Sequence, residues 1–171
     1  LNWQVKQPTN RQQLANLLQR VDMVPPSLAA AQMAEESGWG TSRFADLGNA
    51  FFGQWSWTKG IRPLAQRSGK GDYRIAAFDK PVGSVTAYVR NLNTSTAYAD
   101  FRRERERLRK SGSKISGAGL VHTLINYSER REDYIRTLKA IMRVNLLAGV
   151  DDAYLADGEH VVLVPVGEGA N

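Results

Sequence analysis

Apolar residues recur along most of this chain with helical spacing. Leu14, Leu17, Leu18 and Val21 stand at i, i+3, i+4 and i+7, which predicts an amphipathic helix ending before Pro25-Pro26. Thr9 and Gln12 have capping-box spacing at its start. The proline pair suits a sharp turn and the first position of a second helix. That helix covers residues 27–37, is nearly all small or apolar, and stops at Gly38. A helix with so little polar surface belongs in the centre of a domain.

Between Asn49 and Phe78 the pattern changes. Phe51, Phe52, Trp55 and Trp57 crowd together, then come Gly60, Pro63 and the turn-like residues 68–72, and residues 73–78 read as extended. This predicts a small β-hairpin or loop lobe over about residues 49–78. Helical spacing returns after Asp79-Lys80-Pro81, with Asp79 as the expected cap. Val85, Tyr88, Val89 and Leu92 share one face, and Asn93-Thr94-Ser95 ends the run. Tyr98, Phe101 and Leu108 mark a further helix, whose exposed face is expected to carry Arg102, Arg103, Arg105, Arg107, Arg109 and Lys110. A short helix follows over about residues 116–125. Ser128 is then the expected cap of a long helix through Ile135, Leu138, Ile141 and Met142, with Glu129 and Glu132 near its positive end. Five or six helices with a small β insert make a mainly α (α+β) domain over residues 1–148. Residues 149–171, with the strand-like patch 161–164, read as a tail.

Composition narrows the chemistry. The 171 residues and 19.0 kDa favour one domain, and 42% hydrophobic content is enough for a core. No apolar run has the roughly 18 residues a membrane span needs. There is no cysteine and only two histidines, His122 and His160. A disulfide scaffold, a thiol nucleophile and a thiolate or multi-histidine metal centre are therefore excluded. No metal or organic cofactor is expected. The sequence opens on Leu1 rather than Met and shows no signal-peptide pattern, as expected of a fragment or a processed product. The net charge of +6 suits an acidic partner such as nucleic acid, an anionic membrane or a bacterial wall polymer, without choosing between them.

Glu36 is the first candidate for chemistry. It closes an otherwise apolar helix, on the expected face of Met33 and Ala29. Burial and the negative end of a helix both raise a carboxyl's pKa, as a general acid for glycoside cleavage requires. The same pattern describes a solvated helix end, but Ser37-Gly-Trp-Gly40, a two-glycine turn holding Trp39 beside the carboxylate, is unusual for a mere exit loop. Phe51, Phe52, Trp55 and Trp57 fit either a core cluster or a platform for apolar sugar faces. Tyr127, at the entrance of the long helix, fits either packing or a hydroxyl offered to a cleft. The basic helix reads first as an ion-paired face, then as a weak attractor of anionic polymer. Gly-x-Ser-x-Gly, phosphate-loop and Rossmann patterns are absent.

Residues 31–40, Ala-Gln-Met-Ala-Glu-Glu-Ser-Gly-Trp-Gly, resemble the catalytic signature of the peptidoglycan N-acetylglucosaminidases of glycoside hydrolase family 73. Asn49-Ala-Phe-Phe-Gly53 looks like that family's turn into its β-lobe, residues 84–98 like its next helix and following tyrosine, and residues 127–134 like its two-tyrosine box. Residues 91–94 and 124–147 look most like the Bax-like branch. The resemblance covers about residues 10–148 and implies a lysozyme-like helical domain with a small β-lobe flanking a glycan groove. It also implies hydrolysis of the β-1,4 bond after N-acetylglucosamine in peptidoglycan, in the bacterial cell envelope and there in the periplasm. Glu36 takes the general-acid role and Tyr127 assists. Trp39, Asn49, Phe52, Trp55, Trp57 and Tyr98 are the expected glycan contacts. Residues 60–71 hold no Asp or Glu where many members have a second acid, so Asp72 is the first available carboxylate. The alternative is a reaction assisted by the substrate's own acetamido group. A lytic transglycosylase and a non-catalytic basic binder of wall glycan or nucleic acid are the competing readings.

Overall fold

The computed structural model describes residues 10–153; Thr9 and the patch 161–164 lie outside the described residues. Helix α1 (Arg11–Arg20) is capped by Asn10, whose side chain accepts the Gln13 amide at 2.9 Å. None of its residues is buried, and Leu14 and Leu18 stay exposed, so the expected apolar stripe does not enter the core. Helix α2 (Pro26–Ser37) does. Pro26 supplies the first position, Gly38 ends the helix in the left-handed region, and Leu28, Ala31, Gln32 and Ala34 are buried against the helices that follow.

Helix α3 (Arg43–Gly48) has no counterpart in the sequence expectation. Its six residues are too few to show an apolar period, and its signal is the local cap that Ser42 gives the Ala45 amide. The β-lobe holds two short antiparallel strands, β1 (Trp55–Ser56) and β2 (Arg74–Ile75), with Trp55 opposite Ile75. Two residues per strand cannot hold a lobe together. Stacking of Trp55 on Tyr73 at 4.2 Å, over Ala50, Ile75 and Phe44, supplies a small core of its own.

Helix α4 (Pro81–Thr94) buries Ser84, Tyr88 and Leu92 and leaves Val85 exposed; Lys80, not Asp79, occupies the cap position. A 3₁₀ turn (Thr96–Tyr98) leads to α5 (Ala99–Lys110). Here the expected exposed basic face is corrected, because Arg102 and Arg105 are buried. Arg102 donates to the Leu92 and Ser95 carbonyls, both at 2.8 Å, at the end of α4. Arg105 donates to the Gln19 and Met23 carbonyls and Asn93 Oδ1 at 2.6–2.7 Å, and so holds the end of α1. Helix C-termini leave carbonyls without partners, and a guanidinium with five donors satisfies several at once. Burial lowers the Arg105 pKa to about 10, with Asp22 beside it opposing the fall. Arg103, Arg107, Arg109 and Lys110 reach water and pair with Asp100, Glu104, Asp22 and Glu106.

Helix α6 (Gly117–Leu120) continues as a 3₁₀ turn (Val121–Leu124), and α7 (Glu132–Val144) follows. Ser128 does not cap α7: Arg131 stands there with φ 46°, and the Ser128 hydroxyl accepts the Arg130 amide one turn earlier. A last 3₁₀ turn (Leu147–Asp152) crosses position 148, where the tail was expected to begin. Its Asp151 carboxylate accepts from Ser27 N and Oγ at 2.8 and 2.7 Å and from Gly117 N at 3.0 Å, capping α2 and α6 together. The result is a mainly helical body with a two-stranded lobe, its main core formed by α2, α4, α5, α6 and α7. No helix among the described residues is long and apolar enough to cross a membrane.

Candidate active site

The end of α2 is shaped by the residues after Glu36. Ser37 is buried; its hydroxyl donates to the Met33 carbonyl at 2.6 Å and accepts the Gly40 amide at 2.8 Å. Trp39 takes φ 58° and returns its own amide to the Ala34 carbonyl at 2.9 Å. The Ser-Gly-Trp-Gly run is thus a turn that ends the helix immediately past the two glutamates. Adjacent helical positions diverge by about 100°. Glu35 pairs with Arg130, while Glu36 faces a cavity of about 430 Å³ between the helical body and the β-lobe. Met33, three residues back, is exposed; the fully buried residue one turn before Glu36 is Gln32.

Burial raises the Glu36 pKa, and neighbouring Glu35 adds to this. The nearby Tyr134 hydroxyl and the charges of Arg130 and Arg67 oppose it. The setting therefore favours the protonated acid more than water does. Gly53 passes close over it: a Cβ there would lie 3.1 Å from Glu36 Oε2, and its φ of +57° is one that side chains disfavour.

Among the residues expected at the site, Glu36, Phe52, Trp55, Tyr98 and Tyr127 line this cavity together. Phe52 is buried and stacks on Tyr88 at 4.0 Å, so only its edge belongs to the wall. Tyr127 lies between Tyr98 and Tyr134, each ring 5.7 Å away, and its hydroxyl donates to the Phe52 carbonyl at 3.3 Å. Burial pushes its pKa well up, so its proton stays in place.

The other expected residues stand apart. Trp39 and Trp57 are exposed, and neither lines the cavity. Asn49 is the left-handed cap of α3, its amide donating to the Phe78 carbonyl at 2.9 Å, where it fastens the two ends of the β-lobe. Asp72 pairs with Arg62 at 3.3 Å, away from the cavity wall. The carboxylates that do line it are Glu36 and Glu129, and Arg67 and Lys70 of the lobe each reach Glu129 at 3.2 Å. Sequence reasoning passed over Gln54, Arg67, Asn91, Asn126 and Glu129 as lining residues. It also passed over Tyr134 as the partner of Glu36, whose only sequence signal is its place in the two-tyrosine box. No group of three or more His, Cys, Asp or Glu among the described residues could hold a metal ion.

Residues 12–147 match the family model Glucosaminidase, described as mannosyl-glycoprotein endo-beta-N-acetylglucosaminidase. The chain belongs to this family. It is also similar to Protein bax of Escherichia coli (strain K12), 40% identical over 129 residues, which are 75% of this chain and 46% of that protein. The chain thus matches less than half the length of this relative. No solved structure matches it. The span shared with the glucosaminidase family runs from α1 past the end of α7, and so includes the whole cavity wall, Glu36 and both tyrosines of the box.

Proposed function

We propose that the chain is an endo-β-N-acetylglucosaminidase acting on the β-1,4 bond after N-acetylglucosamine in bacterial peptidoglycan. In this reading the cavity is part of a lysozyme-like glycan groove, and the protein works in the cell envelope, in the periplasm, with glycan strands and not nucleic acid as its partner. The observation that carries it is Glu36, a carboxyl with a raised pKa facing an aromatic-walled cavity that Tyr127 and Trp55 also line. Glu36 gives its proton to the departing sugar oxygen as the bond from the anomeric carbon breaks. Trp55 offers a stacking face to the sugar, and the Tyr127 hydroxyl a polar contact beside it.

The second half of the reaction is assigned to the substrate. Asp72 stands off the cavity, and Glu129 is held by two cations. The acetamido oxygen of the sugar forms the new bond to the anomeric carbon. Water then opens that ring, returns a proton to the Glu36 carboxylate, and leaves the product with its β configuration.

Purified sacculi, digested and analysed for the new reducing-end sugar, test this. Glu36→Gln should remove nearly all cleavage, while Glu35→Gln, which loses only the pair with Arg130, should cost far less. A new reducing end on N-acetylglucosamine supports the reading. Anhydromuramyl products would make the protein a lytic transglycosylase, and no cleavage together with salt-sensitive binding of DNA would make it a basic binder.

A further inference from the structure

Beneath the acid lies a chain of buried polar side chains drawn from three helices. Gln32 precedes Glu36 by one turn of α2 and is fully buried, as are Tyr88 of α4 and, to within 1%, Tyr134 of α7. The Tyr88 hydroxyl donates to Gln32 Oε1 at 2.7 Å, and Gln32 Nε2 donates to the Tyr134 hydroxyl at 2.9 Å. Tyr134, having accepted from Gln32, has its own proton to give, and the Glu36 carboxyl, one turn along α2 from Gln32, is the acid it acts on. We propose that Tyr88, Gln32 and Tyr134 form a directed relay of hydrogen bonds ending on Glu36, so that Tyr134 is a positioning residue for the acid and Tyr88 acts on it from the core.

The direction is that of the Gln32 amide as the structure places it, Oε1 toward Tyr88 and Nε2 toward Tyr134. A glutamine amide offers an oxygen on one side and an N–H₂ on the other. With the Tyr88 proton on Oε1, the N–H₂ must face Tyr134, which leaves Tyr134 free to donate onward. Turned over, the same amide would take the Tyr134 proton for itself, and Glu36 would lose its donor. By donating to Oε1, Tyr88 supports the orientation of Gln32 in which Tyr134 serves the acid. The rings are fixed by packing: Tyr88 stacks on Phe52 at 4.0 Å, and Tyr134 lies parallel to Tyr127 at 5.7 Å. Packing and the two internal hydrogen bonds hold these three side chains in one geometry.

The inference rests on Glu36 being the acid of the proposed reaction, but its physical content is separate. The groups acting on Glu36 are Glu35 of α2, Arg130 in the turn before α7, Arg67 of the β-lobe and Tyr134 of α7, and Glu36 in turn acts on Tyr88, Tyr98 and Tyr127. Of these, Tyr134 is the one that belongs to the buried chain of hydrogen-bonded side chains. The Tyr134 hydroxyl favours the charged form and opposes burial, so in the relay its removal raises the pH at which Glu36 titrates.

The test is carbon NMR titration of side-chain carboxyls, with Glu36 assigned by its absence in Glu36→Gln, alongside the pH profile of kcat/KM and a thermal melt. Tyr134→Phe should move the Glu36 titration and the alkaline limb of kcat/KM up together by about half a pH unit or more, a threefold or greater change in proton affinity. Tyr88→Phe removes a hydroxyl at the far end of the relay and keeps its ring. It should move both in the same direction by a smaller amount, an effect that loss of packing alone would not produce. An unchanged Glu36 titration in either folded variant overturns the relay. If Glu36→Gln keeps full activity, the hydrolytic reading fails instead, and the titration still decides the relay.

Discussion

Gly53→Ala isolates how tightly the acid is enclosed. Two effects add at this position. Placing a side chain at φ +57° costs about 1–2 kcal/mol for an L-residue. The new Cβ would also stand 3.1 Å from Glu36 Oε2, so the carboxyl or the loop must give by a few tenths of an ångström. A misplacement of about 1 Å at a reacting group costs on the order of 100-fold in rate, so a few tenths implies a loss of roughly three- to tenfold. Gly69→Ala is the control. Its φ is +75° with nothing within 4 Å of the added Cβ, so it carries the backbone strain without the contact. The shared backbone strain should cost both variants roughly 3–6 °C in Tm, since about 1 kcal/mol shifts a domain of this size by about 3 °C. Only Gly53→Ala should lose kcat/KM in digestion of purified sacculi. Equal activity in the two variants would refute the claim that Gly53 sets the position of Glu36.

Three further outcomes follow from other parts of the molecule. Glu36 binds its proton more tightly folded than unfolded, so its contribution to stability falls as pH rises from its ordinary value of 4.5 through its raised value. Glu36→Gln should accordingly melt higher than the parent at neutral pH, with the gap closing as pH falls towards 4.5; a constant gap across thermal melts would contradict the buried acid. Arg105→Met breaks a buried pair with Asp22 and strips the Gln19 and Met23 carbonyls of their donor, a loss of about 3–5 kcal/mol that urea unfolding would read, whereas a loss under about 1 kcal/mol would return Arg105 to the surface. Asp72→Asn should keep most of the activity, with proton NMR of a fresh digest showing the β anomer first; an initial α product, or a fall of about 100-fold, would restore a protein base.

The sequence by itself determined the elements whose signals are local. Pro26 and Gly38 bound α2 because a proline and a left-handed glycine act through their own backbone. The aromatic and glycine-rich texture of residues 49–78 marked the lobe, and the Glu-Ser-Gly-Trp-Gly run marked the carboxylate that faces the cavity. Tertiary structure decided what depends on partners distant in the chain. Six basic residues on α5 look alike in sequence, yet Arg102 and Arg105 turn inward because the ends of α4 and α1 present carbonyls that need donors. The apolar stripe of α1 is a true period with no core among the described residues to receive it, since burial is a property of the neighbour and not of the helix. Trp39 and Trp57 carry the same side chain as Trp55, but only Trp55 has Tyr73 beneath it and the cavity beside it. The bond from Gln32 to Tyr134 spans helices α2 and α7, and nothing in either helix announces the other. A spacing rule can place a carboxyl at a helix end, but which hydroxyl is aimed at it is settled only when the helices pack.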